Sequence, residues 1–187
     1  MKKAAAVLAL AGAILLGYWL TIHIQERQFE SEAVEKILVE TPKQALPEKA
    51  PRLAAGSLIA RLQIPSIGLS VAVVEGASDS QLRLAAGRIF GTALPGENSN
   101  VAFAGHRDTH FRPLRSIRLN DKIEVNAAGR LYEYRVVSTK IVQPEDIQVL
   151  YPADRETLTL VTCYPFSYIG SAPQRFIVRA ECTNCQQ

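Results

Sequence analysis

From residue 57 onward, apolar and polar positions alternate with a period of two. Leu58, Ala60, Leu62 and Ile64 fall on one side and Ile59, Arg61 and Gln63 on the other, as in a strand with one face buried. Short runs of this kind recur at residues 70–75, 101–104, 122–125, 131–142, 158–163 and 175–180, many of them β-branched or aromatic. Pro65 with Gly68, and residues 127–129, separate runs as turn signals. Helical candidates are brief, near residues 80–85 and 111–114. Roughly seven or eight short strands in about 130 residues predict an all-β barrel or sandwich. No internal repeat or low-complexity tract interrupts the pattern.

The amino end follows a different rule. Residues 4–20 are continuously apolar or glycine, and no charged residue occurs between Lys3 and Glu26. At ~1.5 Å of rise per residue, about 20 such residues cross a ~30 Å hydrocarbon core. Lys2 and Lys3 precede the run, which leaves the short amino end in the cytoplasm and sends the rest across. Tyr18 and Trp19, near its outer end, are side chains suited to the headgroup interface. A cleaved signal peptide is the competing reading, but the small residues Ala9-Leu10-Ala11 fall inside the apolar run and not after it. Residues 25–39 read as a polar helix, since Glu26, Arg27, Glu30, Glu32, Glu35 and Lys36 leave little for a core. Pro42, Pro47 and Pro51 then mark a linker. The expected organisation is a cytoplasmic tip and transmembrane anchor over 1–25, a helical stalk and Pro-containing linker over 26–56, and a folded domain with a short tail over 57–187.

Charge excludes one class of partner. The net charge is +3, yet residues 57–187 hold 14 basic and 12 acidic side chains, and residues 25–56 hold 5 and 6. Nucleic-acid binding would need a concentrated basic face.

Three cysteines and three histidines make elimination possible. His23 lies at the membrane end of the anchor and reads as an interfacial residue. Cys182 and Cys185 form a CxxC in the carboxy tail, without the second ligand pair that zinc wants and without the βαβ setting of a redox motif. They read as tail thiols, open to oxidation to a local disulfide outside the cytoplasm. Cys163 ends the strongest strand, Thr157-Leu-Thr-Leu-Val-Thr-Cys163, and shares a face with Thr159 and Val161. A connection containing Pro165, Gly170 and Pro173 leads to a second strand opening with Arg175. Antiparallel pairing of the two strands makes Cys163 and Arg175 neighbours; a buried structural Cys and a surface Arg are the alternative. His106 follows the apolar run 101–104 and Gly105, where a side chain can project into a cleft, although a solvated loop histidine fits the same position. His110, four residues on, is the weaker candidate. Amide cleavage through a thiol needs a nucleophile, a proton donor for the leaving amine, and positive charge where the oxyanion develops. Cys163, His106 and Arg175 supply one of each: imidazole serves as acid and then base near neutrality, and Arg stays charged.

These residues sit in motifs that resemble the sortase family. They are Gly91-Thr-Ala-Leu-Pro-Gly-Glu97, then Asn100-Val-Ala-Phe-Ala-Gly-His-Arg-Asp-Thr-His-Phe111, then Thr157-Leu-Thr-Leu-Val-Thr-Cys163, then Arg175. The resemblance extends from about residue 57 to residue 180. It implies an eight-stranded sortase β-barrel with short helices, and Cys163, His106 and Arg175 as catalytic residues. It also implies a substrate protein ending in an LPxTG-like sorting signal, cleaved between Thr and Gly through a thioacyl enzyme that an amine acceptor resolves. Arg175 takes the oxyanion role, and Thr162 matches the substrate-contacting position before the Cys. The compact size, single amino-terminal anchor and Thr-Cys-Tyr-Pro-Phe context are most similar to class GN sortases of Gram-negative bacteria, which implies a single-pass inner-membrane protein with a periplasmic catalytic domain.

The chain also departs from the family. Ser99-Asn100 stands where Gly-Asn is usual, a neutral turn change. No acidic cluster suggests bound calcium, and neither a metal nor another cofactor is expected. No lid segment precedes the barrel, which argues against a pilin-polymerising type. Arg107, Arg112, Arg115 and Arg118 surround His106, beside Asp108, either as a solvated turn or as a positive rim for an acidic residue of the sorting signal. Two other functions fit the same residues: a hydrolytic Cys-His peptidase, and a non-enzymatic membrane-tethered β module whose CxxC tail handles thiols or metal.

Overall fold

The computed structural model describes residues 53–168 and 170–185. Among them no helix is long and apolar enough to cross a membrane. The anchor expected at 1–25, and the stalk and linker up to residue 52, lie outside the described residues.

Eight strands close a barrel: β1 (Leu58–Ile64), β2 (Leu69–Glu75), β3 (Ala86–Arg88), β4 (Asn100–Ala104), β5 (Lys122–Ala127), β6 (Arg130–Val142), β7 (Thr157–Tyr164) and β8 (Gln174–Cys182). Around the barrel the order is β1-β2-β3-β4-β7-β8-β6-β5, and β5 pairs back onto β1. The alternation read in the sequence survives in β2 and β5, where every second residue is buried, and in β1 from Ala60 onward. Leu58, expected on the same side, is exposed, because the register with β2 is irregular between Leu58 and Ala60. Ala128 and Gly129 both take positive φ between β5 and β6, the backbone that a two-residue hairpin turn demands.

The interior is filled by Leu62, Ile64, Val73, Val101, Phe103, Ile123, Leu158, Leu160 and Val178, all fully buried. Strands β4 and β7 are covered on both faces, so period two fades there, as in strands that no longer face water. Thr159, on the Cys163 side of β7, is fully buried. Its hydroxyl donates to Asn100 Oδ1 at 2.7 Å, and the Asn100 amide donates in turn to the carbonyls of Val149 and Tyr151 at 3.0 and 3.1 Å. One buried Asn thus ties the connection before β7 to the two strands beneath it.

Two features escaped the sequence pattern. The three-residue β3 is too short to show a period, yet it joins parallel β2 to antiparallel β4. Glu75 and Arg88, register partners in β2 and β3, form a buried bidentate ion pair at 2.7 and 2.8 Å, and Arg88 also donates to the Thr92 carbonyl. At 4% and 1% exposure, neither charge could sit there without the other. Helix α1 (Asp79–Leu82) starts four residues after Glu75 and is capped at its amino end by a capping box between Ser78 and Gln81.

The carboxy end is clasped to β6. Strand β8 runs as far as Cys182, past the point where the sequence ended it, and Cys182 is joined to Cys185 by a disulfide with Cα atoms 5.7 Å apart. The Thr183 and Asn184 side chains between them bond the backbone of Glu133 and Leu131. Nearby, the buried Glu156 carboxylate accepts from the Tyr134 hydroxyl and the Gly96 amide. Burial, and then this hydrogen bond, push the Tyr134 phenol well above the usual tyrosine value.

The upward shift means that above about pH 10 an unfolded chain loses the Tyr134 proton while the folded barrel keeps it, so stability falls as pH rises through that region. In urea unfolding between pH 8 and 11, Tyr134→Phe is expected to show a shallower decline than the unaltered protein. Equal slopes would contradict the assignment.

Candidate active site

The site is assembled where three strand ends meet. Antiparallel pairing of β7 with β8 places Cys163 directly opposite Arg175. The parallel pairing of β4 with β7 carries Ala104 alongside Val161, so the chain leaving β4 enters the His106 turn beside the Cys163 end of β7. Two hydrogen bonds extend this register beyond the strand: the Gly105 amide donates to the Val161 carbonyl at 3.1 Å, and the Thr162 hydroxyl donates to the Gly105 carbonyl at 2.7 Å. Thr162 is 2% exposed, so this bond works in a dry setting where an unmet hydroxyl would be costly.

Gly105 is required by contact. A Cβ at that position would lie 2.7 Å from the Phe111 ring, which is fully buried. The Phe111 amide closes the turn by donating to the His106 carbonyl at 3.0 Å. The spacing from Gly105 through His106 to Phe111 is therefore a packing unit that fixes where the imidazole leaves the backbone.

Cys163 is a free, half-buried thiol. His106 is about one third exposed, and its Nε2 lies 3.7 Å from Asp79 Oδ1, at the start of α1. Asp79 is itself well exposed and also pairs with Arg83, so its hold on the imidazole is screened by water. Arg175 Nη1 donates to the carbonyls of Ala172 and Gln174, both at 3.1 Å. These bonds seat the guanidinium against its own connection, and Nε and Nη2 take no part in them. Tyr164, Phe166 and Phe176 brace the same strand ends, with ring centroids 5.3 to 6.3 Å apart.

The structure thus brings Cys163, Arg175, Thr162 and the His106 turn to one rim of the barrel. His110 lies in the same turn with its Nε2 buried and unpaired among the described residues. Of the basic residues around His106, Arg112, Arg115 and Arg118 are exposed. Arg107 is engaged elsewhere, donating from Nη2 to the carbonyls of Tyr168 and Gly170. The Cys182–Cys185 disulfide sits at the other end of β8, where Glu181 pairs with Thr157. That is six residues from the Arg175 register, roughly 20 Å at ~3.3 Å per residue. Both sulfurs are bonded to each other, so neither is a thiolate for Glu156 and a metal to share. Sequence reasoning missed Asp79 and the reach of Arg107, because nothing in a period or motif connects α1 or residue 168 with residue 106.

A family model described as Sortase domain matches residues 62–183. Sortase D of Bacillus subtilis (strain 168) is 36% identical over 118 residues, which cover 63% of this chain and 60% of that protein. Sortase A of Bacillus anthracis is 28% identical over 138 residues, 72% of this chain and 65% of that protein. The matched part is therefore less than two thirds of the length of these curated relatives. Among solved structures, a Clostridium perfringens Sortase D5 transpeptidase superposes with a TM-score of 0.65 at 27% identity, covering 82% of this chain and 95% of that one. Sortase A from Corynebacterium diphtheriae shares the fold, with a TM-score of 0.66 at 24% identity over 88% of this chain and 83% of that one.

Gly105→Ala forces a methyl group against the Phe111 ring and is expected to cost about 1–3 kcal/mol in urea unfolding. Phe111→Leu added to it should restore part of that loss. A neutral Gly105→Ala would show that the close contact does not set the turn.

Proposed function

This chain belongs to the sortase family, and we propose that it is a cysteine transpeptidase in which Cys163, His106 and Arg175 do the chemistry. The observation that carries the reading is the register pair Cys163 and Arg175, with the His106 turn fastened beside them through Thr162 and Gly105.

In this reading the substrate is a protein with a carboxy-terminal LPxTG-like sorting signal. The Cys163 thiolate attacks the carbonyl carbon of the Thr-Gly bond, and Arg175 N–H groups stabilise the charge on its oxygen. His106 donates a proton to the departing glycine amine, the C–N bond breaks, and a thioacyl enzyme remains. An amine acceptor then attacks the thioester carbonyl. His106 takes the proton released by that amine, a new amide forms, and the Cys163 sulfur leaves as thiolate. Thr162 acts from beneath, its hydroxyl holding the Gly105 carbonyl and with it the histidine turn.

The apolar run 4–20 behind Lys2 and Lys3 supports a single-pass membrane protein whose amino end is cytoplasmic and whose barrel works outside the inner membrane. The class GN reading rests on the compact size, the single amino-terminal anchor and the Thr-Cys-Tyr-Pro-Phe context; the relatives named above are Sortase D and Sortase A.

Incubating the full-length protein with an LPxTG-type peptide and glycinamide separates the enzymatic readings. A transpeptidase yields the peptidyl glycinamide at the expense of free acid, whereas a hydrolytic peptidase yields free acid at any amine concentration. Cys163→Ala is expected to abolish both products. Arg175→Lys should lower kcat/KM about 100-fold or more, because an ammonium cannot reproduce the planar fork of donors. Normal turnover in either variant would refute its role.

A further inference from the structure

The connection between β7 and β8 leaves the barrel after Tyr164, one residue past Cys163, and returns at Gln174, one residue before Arg175. It therefore borders whatever lies between the thiol and the guanidinium. Its two ends are well held, by strand register and by the aromatic cluster of Tyr164, Phe166 and Phe176. Among the described residues of its middle, the Tyr168 amide donates to the Pro165 carbonyl at 3.3 Å, and Tyr168 is exposed.

Among the described residues, the hydrogen bonds that tie this middle part to another element both come from Arg107. Its Nη2 donates to the Tyr168 carbonyl at 2.9 Å and to the Gly170 carbonyl at 2.8 Å. The same guanidinium carbon lies 5.9 Å from the centre of the Tyr168 ring, within reach of a cation–π attraction. Arg107 is also the residue next to His106, inside the turn fixed by Gly105 and Phe111. One side chain thus spans the gap between the segment that carries the imidazole and the segment that joins the thiol to Arg175.

We propose that Arg107 is a positioning and specificity residue that straps the β7–β8 connection to the histidine turn and so sets the loop-side wall against which the peptide substrate lies. This rests on the transpeptidase reading for the identity of the substrate, but the strap itself does not. Arg107 touches none of the reacting atoms in this scheme. Its loss loosens the wall and leaves Cys163, His106 and Arg175 on their strand ends, so binding suffers more than chemistry. A point charge at the same place keeps part of the attraction to the two carbonyls and loses the flat face against Tyr168.

The test uses the full-length protein in mild detergent, with Arg107→Gln and Arg107→Lys beside the unaltered chain. Hydrogen exchange read by mass spectrometry is expected to quicken at least fivefold in Arg107→Gln in peptides covering Tyr168 and Gly170, with peptides from β1, β5 and β6 unchanged. With an LPxTG-type peptide and glycinamide, KM for the peptide should rise at least fivefold while kcat stays within about twofold, and Arg107→Lys should fall between the two. Unchanged exchange around Tyr168 and Gly170, or a fall in kcat with KM unaltered, would overturn the proposal. If the unaltered protein joins no amine to the peptide, the transpeptidase reading fails, and the exchange measurement alone decides the strap.

Discussion

Everything at the site depends on the parallel pairing of β4 with β7. Cys163 and Arg175 are brought together by an antiparallel pair whose intervening connection is short, so their meeting needs little beyond local chain geometry. His106 is 57 positions before Cys163 and has no such help. It reaches the rim because Asn100 to Ala104 lie beside Thr157 to Val161, and because the register continues past the strand through Gly105 and Thr162. A one-residue slip in that pairing would turn every side chain to the other face of the sheet. The hydroxyl that keeps the histidine turn in place belongs to the residue just before the nucleophile.

The rest of the barrel reads as the frame that keeps this pairing rigid. The buried Asn100 locks the base of β4 to β7 and to the connection above them. The Glu75–Arg88 pair secures β2 to β3, the strand that flanks β4 on its other side. Such a pair adds little net stability over a well-packed apolar one, but it tolerates no other partner. It also fixes where the chain leaves β2, and hence where Asp79 stands relative to His106. At the far end, the Tyr134 hydroxyl holds the entry of β7 to β6, and the tail that the disulfide closes is bonded to β6 through Thr183 and Asn184, well away from the thiol. The clasp of the carboxy tail and the chemistry are thus placed at opposite ends of β8.

Much of this was legible in the chain, for physical reasons that differ by element. Strands β1, β2 and β5 have one wet face, so their alternation announced them, and the run ending at Cys163 was rich enough in Thr, Leu and Val to stand out. Cys163 and Arg175 could be paired from the short connection between them. Strand β3 has only three residues and no period, and its partner across the sheet is chosen by Arg88 finding Glu75, a contact invisible to pattern. The family motifs included Gly105 and Phe111, but only coordinates show that the first is small because the second fills its place. Arg107 read as one of several charges in a solvated turn or a positive rim, and its actual acceptors lie about sixty residues away as backbone carbonyls, which leave no trace in side-chain patterning. The tail CxxC read as thiols open to a local disulfide, and the structure joins them in one, although β8 carries the first cysteine within the strand.

The most direct measurement is the intact mass of the full-length protein mixed with an LPxTG-type peptide in the absence of an amine, quenched in acid and mapped by peptide digestion. The account predicts a single added mass equal to the acyl fragment ending in threonine, located on Cys163 and discharged when an amine is supplied. An adduct on Cys182 or Cys185, or peptide turnover that never modifies Cys163, would contradict it.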